Sequence, residues 1–253
     1  MNRKPYLFST IFAISMAFFE SAVVVYLRHI AYPEGFSFPL KPLDQSLSIT
    51  ELWREVFSMI MLLSVAFVIT RNRMERFAWF IYNFAIWDIF YYIFLKLILG
   101  WPASFLTMDI LFLIPFIWTG PVIAPILLSI LMIVLALSVL KFTTQSRRVH
   151  FKPLEIWLLI GGSIISIFSF LLDYLHFFVK KEGGLHEIWS LKMHTQMTAT
   201  YTPEKFYWGV FAIGAGIITL GILLFIFRNK RVVKGVAHTT FTTRVHGIFK
   251  LIL

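Results

Sequence analysis

Six apolar runs, each of about 20 residues, constrain this chain more than any other feature. They fall at about residues 6–28, 51–70, 77–99, 121–141, 154–179 and 205–227. At about 1.5 Å per residue, a helix of that length crosses a hydrocarbon layer about 30 Å thick. Composition points the same way: 58% of the residues are hydrophobic and only 14% charged. A soluble domain carries roughly a quarter charged residues, so a water-exposed surface is excluded for most of this chain. The fold class expected is all-α, a polytopic transmembrane helical bundle of six spans. Residues 1–228 would form the transmembrane domain, and residues 229–253 a basic tail. The first run comes directly after Asn2-Arg-Lys-Pro, as a signal peptide's would. It is too long for a signal h-region and lacks a small-x-small cleavage pattern, so it is expected to remain as a span.

A further apolar piece, Met108 to Trp118, is only half as long as the bilayer requires. Gly120-Pro121 and Pro125 break the chain immediately beyond it. It is expected to form a re-entrant or interfacial half-helix. Six spans without it put fifteen of the 23 Lys and Arg residues on one side. These are the groups around Arg3, Arg71–Arg76, Lys141–Lys152 and Arg228–Lys250. By the positive-inside rule that side is the cytoplasm, and both termini lie there. The formal net charge of +10 is thereby assigned to membrane orientation and to the tail's attraction for anionic lipid, rather than to nucleic acid. A bacterial inner (plasma) membrane is the expected location.

The non-cytoplasmic loops are 29–50 and 181–204. The first contains three prolines alternating with Phe36 and Phe38 and ends at Ser48-Ile-Thr-Glu51, a capping-box pattern for the second span. In the second, Leu185 to Trp189 could form an amphipathic turn. Zero cysteines exclude disulfides, thiolate metal sites and cysteine nucleophiles.

The chemistry is concentrated in charged residues inside the spans. On the fifth, Gly162, Ser166, Ser169, Asp173, His176 and Lys180 recur at steps of three and four, so they share one helix face. On the second, Glu51, Arg54, Glu55 and Ser58 do the same. Glu20 lies in the first span, and Asp88 in the third, with Tyr92 and then Lys96 at steps of four beyond it. The assumed topology brings all of these to the middle or outer half of the membrane. A carboxylate at such depth costs roughly 2.5–3.5 kcal/mol on an insertion scale, so it must be paired, protonated or wetted. Arg54, Lys96 and His176 are the available partners.

Several groups have simpler explanations. Arg28, Lys96 and Lys180 can snorkel to headgroups. Glu51, Glu55 and Asp109 sit where a helix start would favour a carboxylate. Gly161-Gly162 and the stripe Gly209, Ala212, Gly216 and Thr219 read as close helix packing. His29 and His176 could flank a haem, and Met193-His194-Thr-Gln-Met197 carries soft ligands that would suit copper(I). Interfacial histidines and scattered methionines account for both, so no cofactor and no metal are expected. No HExxH, P-loop or Gly-rich dinucleotide motif is present in the sequence.

The residues expected to bind ligand or relay protons are Glu20, Arg54, Glu55, Asp88, Asp173 and His176, around an outward-facing polar site for a small polar solute or ion. Two alternatives remain. One is a membrane-embedded enzyme using Asp173 and His176 as an acid–base pair. The other is a non-catalytic accessory subunit whose polar stripes are packing networks and whose lateral face binds another membrane protein.

Overall fold

The computed structural model describes residues 3–41, 44–112, 116–146, 149–182 and 200–252, with side chains as far as residue 231 and those of Gln45 and Glu182 omitted. Among the described residues, six helices and one hairpin succeed one another: α1 (Lys4–Ala31), α2 (Gln45–Ile69), α3 (Arg73–Leu99), β1 (Met108–Phe112), β2 (Trp118–Pro121), α4 (Ile123–Gln145), α5 (Pro153–Glu182) and α6 (Trp208–Ile252). All six helices are long and apolar enough to cross a membrane. Large side chains on their outer faces, among them Phe8, Phe19, Val68, Leu97 and Trp157, are more than half exposed. Such a surface is stable only against lipid, and the molecule is a multi-pass integral membrane protein.

Local chemistry sets the helix ends. Asn72 caps α3 by accepting from the amides of Met74 and Glu75. Gly100, at φ 67°, ends α3 in the left-handed conformation that glycine adopts without penalty. The N-cap of α2 is Asp44, whose carboxylate accepts from the Ser46 amide. The helix thus begins one turn before the Ser48–Glu51 box, and that motif lies inside it.

Helix α3 is the centre of one half of the bundle. It packs on α1, on α2 and on α4. Contacts of Tyr6 with Trp79, Thr10 with Tyr82 and Ser21 with the Tyr91 carbonyl advance together along both chains, so α1 and α3 run parallel. The other half is the antiparallel pair α5–α6. A Cβ on Gly162 would lie 2.8 Å from the Gly214 carbonyl oxygen, and one on Gly214 would lie 2.7 Å from the Ser166 amide. The backbones meet there because neither residue has a side chain. The stripe expected to do this, Gly209 to Thr219, does not: a Cβ on Gly209 or Gly216 would meet nothing. The packing face is Gly214 and Gly221, rotated away from it. At the far end of this pair Arg228 grips Glu155 through two hydrogen bonds of 2.7 and 2.8 Å.

The half-helix expected over 108–118 is a β-hairpin. Met108 pairs with Pro121, Asp109 with Gly120, Ile110 with Thr119 and Phe112 with Trp118, with a register shift between Ile110 and Phe112. A proline at 115, inside so short a run, denies a helix an interior N–H, whereas two strands joined across it lose no ladder bond. The hairpin is built into the bundle. Phe112 lies against Phe84 and Trp87 of α3. A Cβ on Gly120 would lie 2.7 Å from the Phe170 ring of α5.

Candidate functional site

The hairpin end of the bundle collects most of the buried carboxylates. Helix α2 begins there, and its face Glu51, Glu55 and Ser58 is buried while Arg54 is half-buried. Arg54 bridges two carboxylates. Its Nη1 donates to Glu20 Oε1 across the α1–α2 seam, and its Nε donates to Glu51 Oε2 at 2.7 Å. The second Glu20 oxygen accepts from Ser58 Oγ at 3.4 Å. Glu20 is only 7% exposed, and this set of donors makes its burial tolerable. Glu55 is buried one turn further along the same face.

Next along the seam stands Tyr91. It feels the field of the Glu20–Arg54 pair on one side and of an Arg28–Asp109 pair on the other. Arg28 Nη2 lies 3.7 Å from Asp109 Oδ1. The Arg28 guanidinium is sandwiched between Trp101, 3.8 Å from the ring centroid, and Phe36, at 4.4 Å. One side chain therefore ties the 32–44 loop, the α3–β1 loop and the hairpin together. Asp109 is 2% exposed. Burial pushes its carboxyl up to about 6, against the opposing pull of Arg28, of the Ile110 amide and of the Tyr92 hydroxyl.

Asp88, half-buried on α3, has a different environment. Its Oδ2 accepts from Ser129 Oγ of α4 at 2.7 Å, and no cation among the described residues pairs with it. Lys96, two turns away, donates instead to the carbonyls of Gly100 and Pro102. Tyr92, one turn from Asp88 and 5% exposed, lies in the field of both Asp88 and Asp109.

On α5 the expected stripe is buried from Gly162 through Ser166 and Ser169 to Asp173, and it then emerges: His176 and Lys180 are exposed. Asp173 Oδ2 accepts from the Tyr201 hydroxyl at 2.8 Å and from the Glu204 amide at 3.0 Å. Tyr201 is fully buried, and burial pushes its hydroxyl pKa upward, so it remains a donor to Asp173. Its oxygen then accepts from Thr119 Oγ1 of β2 at 2.8 Å. Asp173 thereby fastens the 201–204 segment and the hairpin to α5. His176 is not among its partners.

The six expected residues therefore separate. Glu20 and Arg54 are joined directly, Glu55 lies on the buried face beside them, and Asp88 sits at the other end of a belt running through Tyr91 and the hairpin. Asp173 belongs to a separate hydrogen-bonded chain, and His176 stands outside both. Arg28, Asp109, Tyr91 and Ser129 are added by the fold. Ser129 carries no sequence signal, whereas Asp109 carries one that a helix start explains too easily. Among the described residues, no group of three His, Asp or Glu could hold a metal ion. Met193–Met197 and Leu185–Trp189 lie outside the described residues. Comparisons with protein-family models, with curated proteins and with solved structures found no match to this chain.

Proposed function

We propose that this protein binds, and moves within the membrane, a small cation or a proton, with Asp88 as the central ligand. The observation that carries the reading is the Asp88 carboxylate, placed mid-span with one hydroxyl partner and no positive charge beside it among the described residues. An ionised carboxylate at that depth is costly until a cation or proton joins it. The surroundings favour the same sign of ligand. From mid-span to the hairpin end, the buried or half-buried carboxylates Glu20, Glu51, Glu55, Asp88, Asp109 and Asp173 stand against two half-buried cations, Arg28 and Arg54, while the lysines there, Lys96 among them, are exposed. A cationic ligand lowers that imbalance, and an anion would raise it. In this reading Glu20, Arg54 and Glu55 set the field beside the route. Both termini are cytoplasmic, in a bacterial inner membrane, and the belt opens outward.

The test uses full-length protein in liposomes carrying an internal pH-sensitive dye, with imposed gradients of protons, Na⁺ or K⁺. Wild type should show a cation-dependent signal above empty liposomes, and Asp88→Asn should abolish it while preserving the thermal transition in detergent. If wild type gives no signal with any of the three gradients, or Asp88→Asn conducts as wild type does, the reading is wrong.

A further inference from the structure

At the end of the bundle opposite the hairpin there is a cavity of about 710 Å³, lined by Tyr6 of α1 and by Leu137, Lys141, Thr144 and Gln145 of α4. Lys141 is the one charged residue in the 23 residues of α4 and is exposed, and no carboxylate pairs with it among the described residues. Gln145 is one turn further along the same face. Thr144 turns its hydroxyl back to the Lys141 carbonyl, at 2.8 Å. Tyr6 leans on Trp79 of α3, ring centroids 4.7 Å apart, and so forms a fixed wall.

From Lys141 towards the middle of the membrane, α4 presents Leu137, Val134 and Ile130. These recur at steps of four, three and four, and each is more than two-fifths exposed. Eleven residues of helix cover about 16 Å, which is close to the thickness of one leaflet of a hydrocarbon layer of about 30 Å and so to the depth one acyl chain occupies. A cavity with a free ammonium on its wall, continued by an apolar strip running into the hydrocarbon, matches a molecule with an acidic head and a long tail.

We propose that this cavity is a binding site for an anionic phospholipid. Its phosphate sits on Lys141 and Gln145, and one acyl chain lies along Leu137, Val134 and Ile130. Charge selects the headgroup. The same end carries Arg3 and Lys4 in the first turn of α1 and Arg71, Arg73 and Arg76 around the α2–α3 turn. The carboxylate beside that turn, Glu75, accepts from Thr70 Oγ1 at 2.8 Å. The remaining field is positive, which favours a headgroup with net negative charge over a zwitterionic one. The site is separate from Asp88 and does not depend on what Asp88 binds.

The experiment is native mass spectrometry of the full-length protein titrated with phosphatidylglycerol or phosphatidylcholine of the same chain length. Inorganic phosphate serves as the tail-free control. Wild type should bind phosphatidylglycerol more tightly and should not bind phosphate alone. Lys141→Ala should weaken phosphatidylglycerol about fivefold, the value of roughly one surface charge against an anionic lipid, and leave phosphatidylcholine unchanged. Lys205→Ala, at the other end of the bundle, should change neither. Equal wild-type affinity for the two lipids overturns the proposal even if the variant fails to fold. So does unchanged phosphatidylglycerol binding in Lys141→Ala, or equal binding of phosphate alone, which would mark an adventitious ion site.

Discussion

Arg54 is the residue whose loss the hairpin end should tolerate least. Replacing it by Met leaves Glu20, 7% exposed, buried beside Glu51 with only Ser58 as donor. Breaking a buried pair from one side costs about 3–5 kcal/mol, and Arg54's residual exposure places this case near the lower figure. The double variant Glu20→Gln with Arg54→Met removes both charges and should recover most of that loss. Thermal unfolding in one detergent compares the two, and equal destabilisation would mean that the pair contributes nothing beyond its separate parts. Asp109 gives a pH-dependent signature at the same scale. Its folded-state carboxyl is raised from 3.8 to about 6, so the folded state holds the proton more tightly than the unfolded chain. The resulting stabilisation is complete below about pH 3.8 and is lost as pH rises through about 6, a change on the order of 1–3 kcal/mol. Arg28, Tyr92, Tyr91 and Asp88 are the titratable groups that interact with it. The stability difference between wild type and Asp109→Asn, measured by thermal unfolding from pH 4 to 7, should therefore decline with rising pH, and a flat difference would contradict this account of Asp109.

Among the elements, the α5–α6 crossing and the hairpin are the two that depend on single positions. Gly214→Ala drives a methyl into the Ser166 amide, 2.7 Å away, and should cost about 1–3 kcal/mol by overpacking. Gly216→Ala, which meets nothing, should be neutral or slightly stabilising. Unfolding midpoints of the two variants decide between this face and the one through Gly209 and Gly216. The contrast also marks what sequence can convey about such a protein. The six helices are legible because length and apolar content specify a span without any knowledge of neighbours. Which face of a span touches another helix depends on the neighbour, and two glycine stripes on α6 look alike until α5 is placed beside one of them. The hairpin is illegible for a related reason: an apolar run of eleven residues satisfies half a helix and a pair of strands equally well. Taking it for a helix start also gives Asp109 a trivial explanation and conceals the partner of Arg28. Asp173 and His176 fail differently. Three residues apart they differ by about 60° around the helix axis, enough for the 201–204 segment to cover one and leave the other exposed.

At the scale of the whole molecule, the arrangement of six spans makes a geometric claim that chemistry can check. In the proposed topology an even number of crossings puts both termini on one side, and the Lys and Arg distribution argues that this side is the cytoplasm. The hairpin affects this count, because a seventh crossing at 108–121 would reverse every later loop. Paired through Asp109–Gly120 and Ile110–Thr119, the segment enters and returns at one end, and the crossings stay at six. Having no native cysteine, the chain lets a single engineered thiol report its own exposure without background. Ser37→Cys, in the loop that covers Arg28, should react with a membrane-impermeant maleimide in intact cells. Arg71→Cys, in the α2–α3 turn, and Thr144→Cys, in the last turn of α4, should react only after permeabilisation. The last two flank the hairpin in sequence, so their agreement tests it directly. Labelling of Thr144→Cys but not Arg71→Cys in intact cells would require a seventh crossing. It would also place the lipid cavity on the opposite leaflet from the basic α2–α3 turn, depriving Lys141 of the field that selects its headgroup.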